Sequence, residues 1–210
     1  SNVRTIFGTI CTYPKSGPCG YEKSHNIEAA HQAGVEQLEI YLKLQKEGYL
    51  KVQHAGCRTD DNLSVLLLME GADPIRSAED VVWWRNQGLR CVGLTWAIGT
   101  RYAGGNATGG PLTDEGIELI HALDEVGIVH DASHLSDASF EGLCTHAKGT
   151  IIASHSNSRS VLQSSSERHL QDEQAKAIFS RGGVIGLNLC NQFLSKDFSE
   201  TNIHATIDDC

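Results

Sequence analysis

Ser64-Val65-Leu66-Leu67-Leu68-Met69-Glu70-Gly71 is an apolar run that stops abruptly at a carboxylate and a glycine. A strand with one wet face alternates apolar and polar side chains, whereas a continuous apolar run suits a strand covered on both faces. Three further runs repeat the plan. Cys91 to Thr95 stops at Trp96, Ile128 to Ala132 leads into Ser133-His134, and Thr150 to Ser154 leads into His155. Val3 to Thr12, Leu50 to Gln53 and Gly183 to Leu189 read as strands as well. Helical stretches lie between them. Ser24 to Glu47 carries an apolar stripe and has Gly48 just past its end, and Ala78 to Gln87 has Ser77 placed to cap it. Thr113 caps a helix to about Val126, and Asp137 to His146 and Asp172 to Arg181 complete the set. The glycine-rich stretch Gly99 to Gly110 and the serine-rich stretch 156–166 read as loops, and the polar end as the start of a helix near Thr206.

Regular alternation of covered strands with helices predicts a parallel α/β architecture. Two forms of it compete, the (β/α) barrel and the doubly wound open sheet. No GxGxxG or GxxxxGK[ST] loop follows any strand, which weakens the nucleotide-binding open sheet. Residues 1–210 read as a single domain, long enough for a sizeable core.

Composition narrows the function. With 40% hydrophobic and 20% charged residues the chain is of the globular class. A formal net charge of −9 argues against a nucleic-acid partner, because phosphate binding needs a basic surface. No apolar run approaches the roughly 20 residues that cross a bilayer. The seven cysteines form no CxxC pair, which predicts reduced thiols and a cytoplasmic setting. Cys91 and Cys190 lie in or beside apolar runs, where a thiol acts as a small hydrophobe. The sequons at Asn62 and Asn106 are of a kind common by chance.

The strand ends carry the chemistry. In a barrel, Glu70, Trp96, His134 and His155 all fall on the rim at the strands' C-terminal ends, where active sites are built. Either histidine alone reads as an ordinary polar residue. Two histidines and a carboxylate at three strand ends together form a zinc-type ligand set. Asp131 reads equally as an acceptor orienting a ligand imidazole or as an inward-facing polar group. Arg168, in the loop after His155, has the fork to clamp a substrate carboxylate. Arg159 is a weaker candidate for that task. Trp96 and Tyr102, the latter in the glycine-rich stretch with Arg101 and Asn106, join Arg168 as substrate-binding candidates. That stretch has the flexibility of a rim loop over a site. His25, His31, His54, His121, His146, His169 and His204 read as surface residues without a metal role. Nucleophilic catalysis fits poorly: there is no GxSxG elbow, and Ser154 and Ser156 flank His155 without a Ser-His-Asp order.

These motifs resemble those of the membrane (renal) dipeptidase family of zinc metallopeptidases. Leu68-Met69-Glu70-Gly71-Ala72-Asp73-Pro74-Ile75 is similar to its metal-bridging glutamate motif, and Gly88 to Thr95 to the strand that follows. His130-Asp131-Ala132-Ser133-His134-Leu135-Ser136 and Ile152-Ala153-Ser154-His155-Ser156 resemble its two histidine-ligand motifs. Arg168-His169-Leu170, followed by Asp172, resembles the segment whose arginine binds the substrate carboxylate. The resemblance is strongest from about 64 to 190.

The resemblance implies a (β/α)8 TIM-type barrel of the metal-dependent hydrolase kind, here lacking its first and last strands. It implies two zinc ions, with Glu70 bridging and His134 and His155 holding one of them, so that one half-site is visible. A metal-activated hydroxide would then hydrolyse dipeptides, with a D-residue tolerated at the C-terminal side. The family's His-x-Asp pair on its first strand and the aspartate of its last strands are not in this sequence. They are expected upstream of Ser1 and downstream of Cys210. Trp96 replaces a histidine that contacts substrate in many relatives. Two alternatives stay open: a truncated or degenerate relative that binds one metal or none, and an amidohydrolase acting on N-acyl amino acids. A homodimer is a further option.

Overall fold

The computed structural model describes residues 3–15, 17, 20–22, 26–54 and 63–194. The expected helix near Thr206 lies outside them, as do Asn62, Cys19, Cys57, Cys210, His25 and His204.

The elements follow one another as expected up to the first half of the chain. β1 (Thr5–Cys11) leads to α1 (Ile27–Lys46), β2 (Leu50–Val52), β3 (Leu63–Glu70), α2 (Asp80–Asn86) and β4 (Leu89–Gly93). Asn26 caps α1 by accepting a hydrogen bond from the Ala29 amide. α2 starts later than its sequence signal. Glu79, not Ser77, stands at its N-cap and makes no side-chain capping bond. The residues around Ser77 form a turn, and Arg76 pairs with Asp80 at 2.6 Å, which ties the turn to the helix.

The glycine-rich stretch is ordered into a hairpin, β5 (Ala103–Gly105) and β6 (Gly109–Leu112), which corrects the reading of it as a flexible loop. α3 (Asp114–Glu125) follows, with Thr113 accepting from the Gly116 amide as its cap. Then come β7 (Val129–Asp131), α4 (Asp137–His146) and the two-residue β8 (Ile151–Ile152). The serine-rich loop contains one helical turn, α5 (Arg159–Leu162), before α6 (Asp172–Ser180). The expected strand Gly183–Leu189 is reduced to a single parallel bridge between Ala153 and Ile185, flanked by amide-to-carbonyl bonds Ala153 to Val184 and Gly186 to Ala153. Gly183 has no room for a side chain against the Ile151 carbonyl, so this segment reaches the sheet as bare backbone.

Every pairing in the main sheet is parallel, in the order β1-β3-β4-β7-β8. β1 occupies one edge of β3. β2 and β4 share the other, at Leu63–Val65 and Leu67–Glu70 respectively. The core is the layer between sheet and helices, with Leu67, Met69, Trp84, Leu89, Val92, Leu119, Ile120 and Leu123 all fully buried. Cys91 is a buried thiol in a separate small cluster with Leu68 and Ile152, whereas Cys190 is exposed and does not pack as a hydrophobe. Among the described residues no helix is long and apolar enough to cross a membrane.

Register is what places the site. Glu70 pairs with Gly93, Gly93 with Asp131, and Asp131 with Ile152. One line across four strands therefore runs from Glu70 to Ile152, and His134 and His155 each lie three residues beyond it. The chain turns at once after Glu70, because Gly71 adopts φ +87°, a left-handed conformation that costs glycine little.

The hairpin is bolted above this line at close range. A Cβ on Gly105 would lie 2.4 Å from the carbonyl oxygens of both Trp96 and Ala97. Replacing Gly105 by alanine is expected to destabilise the protein by about 1–3 kcal/mol, since backbone must move to admit the methyl group. Urea denaturation of the variant beside wild type measures this, and an unchanged midpoint would refute the packing described.

Candidate metal centre

Parallel register delivers the strand ends to one side of the sheet, and three side chains converge there. His134 Nε2 lies 3.1 Å from Glu70 Oε1, His155 Nε2 lies 3.2 Å from the same oxygen, and the two Nε2 atoms are 3.1 Å apart. Among the described residues this is the group whose ligand atoms come together closely enough to hold a metal ion. His134 is buried, and Glu70 and His155 are half-buried.

The tautomers follow from what each imidazole does with its other nitrogen. His134 Nδ1 stands 3.0 Å from Asn106 Oδ1, an acceptor. His155 Nδ1 stands 2.7 Å from Ser154 Oγ. The Ser154 hydroxyl donates to Asp131 Oδ2 at 2.5 Å, so its oxygen accepts from the imidazole. Both rings therefore carry the proton on Nδ1 and aim a lone pair from Nε2 at the Glu70 carboxylate. Three acceptors facing one point repel each other unless a cation lies between them.

The spacing fits such a cation. Ligands bonded at 2.0–2.1 Å around a tetrahedral zinc-like ion stand roughly 3.3–3.4 Å apart, close to the three distances here. Burial lowers the His134 pKa despite the opposing pull of Glu70, which keeps the ring in the neutral form that ligation needs.

Asp131 does not touch either imidazole. It is buried, and it accepts from the Ser133 and Ser154 amides at 3.0 and 2.9 Å on Oδ1, as well as from the Ser154 hydroxyl on Oδ2. Ser133 Oγ in turn accepts from the His155 amide at 3.2 Å. Asp131 thus reaches His155 through Ser154. This serine is no nucleophile paired with a histidine base: its proton is given to Asp131.

His134 adopts φ +70°, rare for a residue with a Cβ. The hairpin holds it there. The Asn106 amide donates to the His134 carbonyl at 2.9 Å, Gly105 bridges Leu135, and the Ser136 amide donates to Gly104 at 3.0 Å. Asn106 and Ser154 carry functional contacts for which the sequence held no motif, only a loop position and a place beside a histidine.

The remaining candidates divide. The half-buried Trp96 lies beside His134, with ring centroids 6.0 Å apart, and its other neighbour is Tyr13 at 5.9 Å. Arg168 is buried, donating to the His155 carbonyl at 2.8 Å and to Ser156 Oγ at 3.3 Å, with its charge felt at Glu70 and Asp131. Arg159 is engaged with Asp137 at 2.6 Å and the His169 carbonyl at 2.6 Å. Tyr102 stands apart from the cluster. It is buried in the core and its hydroxyl bonds to the Ile75 carbonyl and Arg101. His169, read as a surface residue, is buried against the Phe193 ring.

Comparison with known proteins agrees with these features. The model of the membrane dipeptidase family, peptidase family M19, matches residues 23–210. An uncharacterised protein from the pqqA 5′ region of Klebsiella pneumoniae is 32% identical over 67% of this chain and 55% of its own length. A metallopeptidase from Rhodobacter sphaeroides, solved with a phosphinate mimic of the dipeptide L-Ala-D-Ala, is 25% identical with a TM-score of 0.76 over 91% of this chain and 63% of that one. The dipeptidase AC of family M19 is 26% identical with a TM-score of 0.78, over 92% of this chain and 62% of that one. The fold is the TIM-barrel-like α/β fold of these enzymes. The chain spans little more than half the length of the Klebsiella protein and less than two thirds of either structure.

Beside this centre His169 makes stability depend on pH. Burial, then the charges of Arg168 and Arg159, push its pKa down from 6.5 to about 4. The unfolded chain then binds the proton first. Stability is full above about pH 6.5 and falls as pH drops towards 4. Replacing His169 by phenylalanine is expected to shrink the loss of urea midpoint between pH 7 and pH 4.5. An equal loss in both proteins would contradict this.

Proposed function

This chain belongs to the membrane dipeptidase family, peptidase family M19, and we propose on that premise that it carries the metal-binding part of a metal-dependent dipeptidase. The observation that carries the reading is the meeting of Glu70 Oε1, His134 Nε2 and His155 Nε2 at 3.1–3.2 Å from one another. Two imidazole nitrogens and a carboxylate suit zinc. The second carboxylate oxygen of Glu70 leaves it able to bridge to another ion. A bound metal supplies Lewis-acid polarisation of the scissile carbonyl and activation of water.

The protein's own groups do the rest. Burial keeps the His134 imidazole neutral, and the Asn106 and Ser154 contacts orient both rings. Arg168 uses two of its donors to fix itself to His155 and Ser156. A guanidinium has five N–H groups, so others remain for the C-terminal carboxylate of a dipeptide. Trp96, beside His134, offers an apolar wall to a substrate side chain. The phosphinate mimic of L-Ala-D-Ala bound by the Rhodobacter relative supports dipeptides with a D-residue at the C-terminal side as substrates here.

The test takes the full polypeptide that contains this chain, strips it with chelator and reloads it with zinc. Dipeptides of L,L and L,D type should be hydrolysed and N-acyl amino acids should not, and Glu70→Gln should abolish both zinc uptake and turnover. Arg168→Leu should raise KM roughly 10–100-fold for dipeptides, the worth of a charged hydrogen-bond pair, and far less for dipeptide amides that lack the carboxylate. Zinc-loaded protein with no dipeptide turnover would defeat the proposal.

A further inference from the structure

The two imidazoles of the centre are held by different devices. His155 gives its Nδ1 proton to a hydroxyl that passes the interaction to the Asp131 carboxylate. His134 gives its Nδ1 proton to a neutral carboxamide oxygen on the turn between β5 and β6. That turn is otherwise remote in sequence, 28 residues upstream.

Asn106 grips His134 at two points. Its amide takes the His134 carbonyl at 2.9 Å and its side chain takes the ring at 3.0 Å. Between these bonds lies the left-handed backbone of His134 at φ +70°. A conformation of that kind persists only where its surroundings over-determine it. The hairpin supplies them, because Ser136 and Ser139 hydroxyls donate to the Gly110 carbonyl while the Gly104 amide donates to Ser139 Oγ at 2.9 Å. Asn106 cannot drift, since the neighbouring Ala107 amide is pinned to the Ala97 carbonyl at 2.8 Å.

We infer that Asn106 is a positioning residue for the metal: its carboxamide oxygen selects the Nδ1–H tautomer of His134 and so presents the Nε2 lone pair to the ion. The inference rests on the metal reading of Glu70, His134 and His155 and adds to it a residue outside the ligand set. The hairpin is then a fixed clamp on one ligand rather than a lid over the site. Acceptors that fix a ligand imidazole are worth 10–100-fold in metal affinity.

Cobalt(II) is the probe, because its visible absorption reports ligand geometry directly. Wild type, Asn106→Leu and Asn106→Asp are titrated with cobalt(II) against a chelator, and their spectra are compared. Leucine keeps the volume and the backbone bond but removes the acceptor, and it should weaken binding about 10–100-fold and shift the spectrum. Aspartate keeps an acceptor oxygen and should bind at least as tightly as wild type with a wild-type-like spectrum. If the leucine variant does not fold, Asn106→Ala removes the acceptor without added bulk and serves in its place. Wild-type affinity and spectrum in the variant that lacks the acceptor would overturn the inference. So would equal weakening in the aspartate variant, which would mark a merely structural role. A wild-type protein that takes up no cobalt would overturn the metal reading beneath it instead.

Discussion

The carboxylate of Asp131 ties the ends of β7 and β8 together. It is buried, it lies on the register line that runs from Glu70 to Ile152, and it accepts from two amides and one hydroxyl belonging to the segments that carry the two histidines. A buried anion without such donors would be costly. Its requirement for three partners therefore fixes the turns after both strands, and those turns fix where the imidazoles point. Glu70 needs no comparable device, because it ends its own strand and the backbone turns away directly at Gly71.

From that constraint the centre follows in two steps. Parallel pairing brings three strand ends to one side, and the contacts behind the rings turn three acceptors towards a single point. Neither step alone would make a metal site. Strand ends without the Asn106 and Ser154 contacts would leave the rings free to choose either tautomer. The same contacts on another register would aim the lone pairs apart. The hairpin holds His134 and the Asp131 network holds His155, and a preorganised ligand set loses little freedom on taking up an ion.

The strand ends were legible in the sequence because each strand is an apolar run cut off by a polar residue. Glu70, His134 and His155 could be named for that reason, and the family resemblance named their order. The helix Asp137–His146 was legible to the residue. What stayed hidden was anything set by backbone conformation or long-range pairing. Gly99–Gly110 looked like a loop because glycine is depleted in strands, yet those glycines are what allow a hairpin to press against Trp96 and Ala97. Tyr102 sat in the right stretch for a substrate contact, but its ring is buried in the core and its hydroxyl is tied to the Ile75 carbonyl, 27 residues away in sequence. His169 gave no sign of burial, because its cover comes from Phe193, 24 residues away in sequence order. Gly183–Leu189 had a strand's composition and only one bridge of pairing, since nothing local measures how much of an edge a neighbour offers.

The account stands on a metal ion held at one point by Glu70, His134 and His155. X-ray absorption at the zinc edge of the loaded protein examines that point directly. The account predicts a first shell of nitrogen and oxygen scatterers at about 2.0–2.1 Å, with the outer-shell signature of two imidazoles, one of which disappears in His155→Ala. A zinc shell without imidazole scattering, or one that His155→Ala leaves unchanged, would contradict it.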